Sequence, residues 1–388
     1  MSLSDPNGGQ WRYSTTDASG NYSIIGVPAG TYSLHFEGPD YAEEWWNNKT
    51  TAASATTFTV SAGQVVTGRN AVLSPLLAAT SISGTVKGAS STPLAGIGVM
   101  ASSTTGTFRA SVVTDSAGKY SLGNLPAGKY TLHFSGNATY ADQYFGNRVT
   151  TEDATVITVT SGKALTGKNI VLPKVASITG TVKGAGGSKL DGIQVLAFIG
   201  DRVYGDAMTD TSGNYTIVGL APGSYRLKFS AYSQQEYATV WFGGKNTMAA
   251  STAIAVTAGS TASAKNIVLP KAATISGAVT GSDGVRLDGI LVQVWLKTSA
   301  GYEYSGSEAV SDGKGNYTVT GLPAGSYALG FIDQATSYGA SGNDYSATAG
   351  IKYKDEFYNN KTKLSSATLI TVTTGQKVTG KNVELVKR

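Results

Sequence analysis

The sequence predicts an all-β chain folded as a tandem array of small two-sheet sandwiches. Three observations carry that expectation. The 388 residues are rich in Gly, Ser, Thr, Ala, Val and Tyr with only 14% charged, a composition of strands and turns rather than helices. A turn–strand–turn–strand stretch occurs four times: TDASGNYSIIGVPAGTYSLHFEG (16–38), TDSAGKYSLGNLPAGKYTLHFSG (114–136), TDTSGNYTIVGLAPGSYRLKFSA (209–231) and SDGKGNYTVTGLPAGSYALGFID (311–333). Its Asp recurs at Asp17, Asp115, Asp210 and Asp312, in steps of 98, 95 and 102 residues. That period is too long for a solenoid unit and right for a whole β-domain.

Each full copy opens on an alternating strand: SISGTVKG (81–88), SITGTVKG (177–184) and TISGAVTG (274–281). Ile82, Gly84 and Val86 share one face; Ser83, Thr85 and Lys87 share the other. A polar turn leads to a second strand, AGIGVMAS, DGIQVLAF or DGILVQVWL, and a third runs up to the T-D-x-x-G turn. There Asp accepts hydrogen bonds from its own turn and Gly supplies a positive φ. The fourth strand covers Tyr120 to Leu122 in the second copy, and LPAG turns the chain, with Pro fixing φ. The fifth, KYTLHF, points Tyr130, Leu132 and Phe134 inward and Thr131 and His133 outward. Each copy closes on two strands joined by a Gly-containing turn, as in ATVITVTSGKALTGKNIVLP. About seven short strands per ~100 residues is a two-sheet pattern.

The domains expected are 1–75, 76–173, 174–270 and 271–388, joined by short linkers that Pro75, Pro173 and Pro270 stiffen into a semi-rigid row. The first copy is truncated. Aligning Trp11 with Phe108 leaves no room for its two opening strands, so the chain reads as a fragment of a longer protein, with MSL a vector-style start. The fourth carries an insertion at about 333–352: 26 residues separate Phe331 from Phe357, where 9 separate Phe36 from Trp45. Such a Gly-, Ser- and Tyr-rich surface loop is a place for function.

The opening strand, the PLAGIGV second strand, the T-D-x-x-G-x-Y turn and the LPAGxYxLxF stretch together resemble the carboxypeptidase regulatory-like domain family. The resemblance implies seven-stranded prealbumin-like (transthyretin-like) sandwiches and an extracellular accessory or surface module of a bacterial protein. It implies no peptidase activity, which would need a zinc site.

Catalysis finds no constellation. His35 and His133 occupy equivalent outward strand positions that hold Lys228 and Gly330 elsewhere, which reads as an exposed, replaceable residue. With no Cys and the two His in different domains, no metal site and no cofactor are expected. The turn Asp residues bring one carboxylate each, too few for calcium; GNDYS (342–346) is the richest oxygen cluster. A self-formed Lys–Asn isopeptide bond, as in Cna B-type sandwiches, would use Asn70, Asn169, Asn266 or Asn382. Against it, Lys87 points outward, Thr280 replaces the Lys in the fourth copy, and Gly26, Asn124, Gly219 and Gly321 stand where the acid belongs. Those Asn residues are expected to bond backbone instead.

An aromatic cluster recurs in YAEEWWNNKT, YADQYFGNRVT, YATVWFGGKNT and YKDEFYNNKT, pairing Trp45 with Trp46, Tyr144 with Phe145, Trp241 with Phe242 and Phe357 with Tyr358. Adjacent strand residues face opposite sides. The expected role is cover for the end of the sandwich or packing against the next domain. The alternative is a sugar-stacking platform, in which an exposed ring meets a pyranose and nearby amides bind hydroxyls.

The net charge of +5 is small and scattered, which excludes a nucleic-acid groove, and no apolar run is long enough to span a membrane. The expected function is a non-catalytic extracellular or cell-surface stalk, spacer or adhesive segment, monomeric, with a polysaccharide or a host or matrix protein as the partner. The absence of Cys fits an exported protein independent of disulfides. The alternative is a carbohydrate-binding, starch-binding-like accessory region of a secreted glycoside hydrolase.

Overall fold

The computed structural model describes residues 1–5, 11–39, 41–74, 80–231, 234–333 and 353–388. The linker at 75–79 and the inserted loop, with GNDYS, lie outside the described residues apart from Asp333. The chain forms two compact units, Met1–Lys174 and Val175–Arg388.

The architecture is all-β, in repeated two-sheet sandwiches. In the second repeat, one sheet runs third (Arg109–Val113), second (Gly98–Ser103), fifth (Gly128–Phe134) and the short aromatic strand (Gln143–Tyr144), with Ile157–Val159 also on the fifth. The other sheet holds the opening strand (Ser81–Lys87) between the fourth (Lys119–Leu122) and the split closing strand (Ala164–Leu165 and Ile170–Val171). The opening strand runs antiparallel to the fourth and parallel to the closing strand. The third and fourth repeats repeat this order.

Alternation puts the expected face inward: Ile82, Val86, Tyr130, Leu132 and Phe134 are buried. The turn works as expected. Asp115 Oδ1 accepts from Ala117 N at 2.9 Å and Lys119 N at 2.8 Å; Asp17, Asp210 and Asp312 do the same, and those bonds hold these three carboxyls below the usual carboxylate range. The residue before the Asp also has a structural task. Thr114 Oγ1, buried, accepts from Ile97 N at 2.9 Å and donates to Leu94 O at 2.6 Å, and Thr209 and Ser311 match it. The recurrent Asn is tied to the opening strand: Asn169 Oδ1 accepts from Thr85 N at 2.9 Å, Asn266 from Thr181 N at 2.9 Å and Asn382 from Ala278 N at 3.0 Å.

The first repeat differs from the sequence expectation. Ser2–Ser4 pairs with both Gly30–Gly38 and Trp11–Tyr13, which is where the second strand stands elsewhere. Ser2–Ser4 thus fills the second-strand position that the sequence reading left empty. Leu3, read as part of a vector-style start, is buried opposite Leu34. Trp11 opposes Ser4 as Arg109 opposes Ser102, one register position from the Phe108 alignment. Register is set by pairing, and a three-residue strand carries too little pattern to reveal it.

Candidate functional site

The aromatic cluster forms the same corner in all four repeats. The first aromatic of each pair ends its strand and closes a tight hairpin. Trp45 pairs with Lys49, Tyr144 with Arg148, Trp241 with Lys245 and Phe357 with Lys361. The hairpin tips need left-handed backbone, supplied by Asn47 and Asn48, Gly146 and Asn147, Gly243 and Gly244, and Asn359 and Asn360, all at positive φ. Asn and Gly enter this region at the lowest cost. The amides that could serve a sugar site therefore have a backbone reason to be there.

The second aromatic turns back to the core. Its backbone N–H donates to the fifth strand, from Trp46 to Leu34 O at 2.8 Å, Phe145 to Leu132 O at 2.9 Å, Phe242 to Leu227 O at 2.9 Å and Tyr358 to Leu329 O at 2.8 Å. Each ring packs on its repeat's apolar cluster. The cation preceding the recurrent Asn covers it in three repeats: Arg69 lies 4.3 Å from the Trp46 ring, Lys168 5.9 Å from Phe145 and Lys381 5.7 Å from Tyr358.

The first aromatic lies over the outward residue of the fifth strand. Trp45 stacks on His35 and Tyr144 on His133, each with ring centroids 4.8 Å apart. In the fourth repeat the Phe357 ring fills the space above Gly330, 3.2 Å from where a Cβ would stand. The histidines are therefore covered, not exposed: their side chains are 15% and 20% accessible. Reading strand alternation alone gives the face but not what lies across it. His35 Nε2 lies 3.3 Å from Glu43 Oε2, and His133 Nε2 lies 3.5 Å from Asp142 Oδ2. The His133 bond, with the Gly136 N–H, holds the Asp142 carboxyl below its usual range.

The residue before each pair faces inward as Glu44, Gln143, Val240 or Glu356, opposite the inward Phe of the fifth strand. Glu44 Oε1 and Glu356 Oε1 are buried without a partner. Burial pushes both carboxyls up, and Glu384 adds to the effect at Glu356.

In the third repeat the corner meets the fourth, within the same compact unit. Thr239 N donates to Gly321 O at 3.1 Å and Asn246 Nδ2 to Ala324 O at 2.7 Å. Lys228 runs under Trp241, its Nζ 6.0 Å from the ring centroid, and the ring also packs at 5.1 Å on Phe198. Leu296 and Ser305 line a small cavity beside them. Burial lowers the Lys228 pKa, and Glu303 opposes that shift. All eight aromatics are half-buried. The sequence shows the eight aromatics as adjacent pairs but not the placement of Lys228, which depends on a surface about 80 residues further along the chain.

Among the described residues, no group of three or more His, Cys, Asp and Glu could hold a metal ion. No helix among them is long and apolar enough to cross a membrane.

Comparison with known proteins places the middle repeats. Residues 81–172 and 177–270 each match the carboxypeptidase regulatory-like domain. The chain is 27% identical over 274 residues to the serine-aspartate repeat-containing protein F of Staphylococcus epidermidis, covering 60% of this chain and 16% of that protein. Among solved structures it aligns with the TIE protein of Bacillus anthracis (13% identity, 94% of this chain and 61% of that one, TM-score 0.23). It also aligns with the minor pilin of Streptococcus agalactiae (15%, 50% and 96%, 0.30) and the major pilin subunit of Bacillus cereus (12%, 80% and 99%, 0.21).

Proposed function

We propose that this chain is a non-catalytic, extracellular repeat region of a bacterial surface protein that acts as a stalk or spacer. The observation that carries this reading is the use made of the aromatic corners. Their rings are half-buried, their amide-rich tips are hairpin geometry, and the third is docked on the fourth repeat. That leaves the repeated sandwich itself as the functional feature. Kinship with a serine-aspartate repeat protein and the carboxypeptidase regulatory-like match support it.

With no native Cys, Ser19→Cys and Thr374→Cys give two unique dye positions. Inserting a second copy of residues 81–174 should lengthen the distance read by energy transfer by one repeat. An unchanged distance would sink the spacer reading. In parallel, the chain should stay in the supernatant over insoluble starch, chitin and bacterial cell wall. Retention that disappears in Trp45→Ala, Tyr144→Ala, Trp241→Ala and Phe357→Ala would replace this reading with the carbohydrate-binding one.

A further inference from the structure

The chain enters and leaves each full repeat through two strands that lie side by side and run the same way. In the second repeat the opening strand pairs parallel with the closing strand, Ser81 opposite Ala164 and Lys87 opposite Val171. The third pairs Ser177 with Thr261 and Gly184 with Leu269, and the fourth Thr274 with Lys377 and Gly281 with Leu385. A parallel pair puts the incoming end of one strand and the outgoing end of the other at opposite ends of the ladder. Tension along the chain therefore slides the two strands past each other and loads every rung at once. Strands held at the same end of a ladder would instead peel apart one rung at a time.

The ladder has a weak place, and it is bridged. The closing strand breaks off after Leu165, Ala262 or Val378 and resumes at Ile170, Ile267 or Val383. Two bonds recur across the break. The residue before the recurrent Asn donates its N–H to the opening strand: Lys168 to Ser83 O, Lys265 to Thr179 O and Lys381 to Ser276 O, each at 3.0 Å. The Asn Oδ1 then accepts the N–H two residues further along that strand, from Thr85, Thr181 or Ala278. A side-chain oxygen thus takes the place of a backbone carbonyl. Between these two bonds the opening strand crosses with Gly84, Gly180 or Gly277, where a Cβ would lie 2.2, 2.3 or 2.2 Å from the carbonyl oxygen of the same Lys. Tyr120, Tyr215 and Tyr317 of the fourth strand donate to that oxygen at 2.6, 2.7 and 2.6 Å and fix it there. Past the closing strand the outgoing chain is fastened again, Lys174 to Tyr140, Lys271 to Tyr237 and Lys387 to Tyr353.

We infer, resting on the stalk reading for the tension, that each full repeat is a shear clamp that bears load along the chain, with the recurrent Asn as its middle rung. The repeats then hold against pulling as well as setting a distance.

Single-molecule pulling on the full chain tests this in the fourth repeat. With no native Cys, handles attach at Thr274→Cys and Glu384→Cys, at opposite ends of the ladder, or at Thr274→Cys and Lys377→Cys, at the same end. The unfolding force should be several-fold higher in the first geometry. There Asn382→Ala should speed unfolding at a fixed load about fivefold, the share of one hydrogen bond. Ser311→Ala removes a buried hydroxyl bonded to Ile290 N and Leu287 O, away from the two strands. It should lower the denaturant midpoint at least as far as Asn382→Ala and leave the rate under load unchanged. Equal forces in the two geometries, or a rate under load raised as much by Ser311→Ala as by Asn382→Ala, would overturn the inference. Neither result alters the energy-transfer distance, which alone decides the spacer reading.

Discussion

At the residue scale, the fold rests on a few positions where side-chain size or charge is fixed by one neighbour. Gly84 is one. Its α-carbon faces the Lys168 carbonyl that Tyr120 clamps, at a separation no Cβ tolerates. Gly84→Ala must move backbone against backbone and should cost about 3 kcal/mol, at the upper end of ordinary overpacking. Denaturant unfolding of the chain should show that loss in the transition of residues 81–172, with an unchanged slope. A second position is Glu356. Burial, then Glu384, raises its carboxyl pKa above the unfolded value. A raised acid favours the protonated folded state, so its contribution is present at pH below the ordinary carboxylate value. That contribution is lost as pH rises through the folded pKa. Glu356→Gln gives the fourth repeat the residue the second already has at Gln143. The variant should gain stability relative to the parent at pH 7 and not at pH 3. Thermal unfolding at the two pH values decides it, and an equal effect at both would refute the assignment.

At the scale of the element, the hairpin tip decides the corner. Gly146 and Asn147 are both left-handed, and Tyr144 pairs across them with Arg148. Asn147→Gly should leave stability within a few tenths of a kcal/mol, whereas Asn147→Val should cost about 1–2 kcal/mol for forcing a branched residue into that region. Thermal melts of the two variants separate this backbone role from a ligand-binding one, since a sugar-binding amide would lose function equally in both. Much of this element was legible in the sequence. The period-2 pattern of Tyr130, Leu132 and Phe134 marked the inward face, and the turn Asp and Gly marked the hairpin, because both signals are local. What was not legible is pairing. Ser2–Ser4 joins the first repeat's sheet through pairing with residues 33–35, and three residues are too short an alternation to read. His133 was read as exposed because alternation says which face a side chain takes, and the covering Tyr144 belongs to another strand.

At the scale of the molecule, the unit Val175–Arg388 holds two sandwiches with a half-buried lysine at their joint. Lys228 lies beneath Trp241 beside Gly306 and Ser305 of the next repeat, and burial depresses its pKa despite the attraction of Glu303. A folded pKa below the unfolded one means that folding disfavours the charged form. Below the folded pKa the lysine is charged in both states, so the full cost is present there. Stability should therefore rise as pH climbs from the folded pKa towards the unfolded value near 10.5. Lys228→Met keeps the length and apolar stem while removing the charge, and replacing a partly buried charge with an apolar group of similar shape is often stabilising. The variant should unfold at a higher temperature than the parent at pH 7, and the difference should shrink by pH 10.5. Trp241→Ala opens the same joint and should lower the unfolding temperature, exposing the Lys228 amine to water and returning its titration towards the free-lysine value, as read by NMR. If Lys228→Met instead lowers stability at pH 7, the Glu303 attraction outweighs desolvation. The joint between these repeats would then be held by the charge pair rather than by the Trp241 stack and its backbone bonds to Gly321 and Ala324.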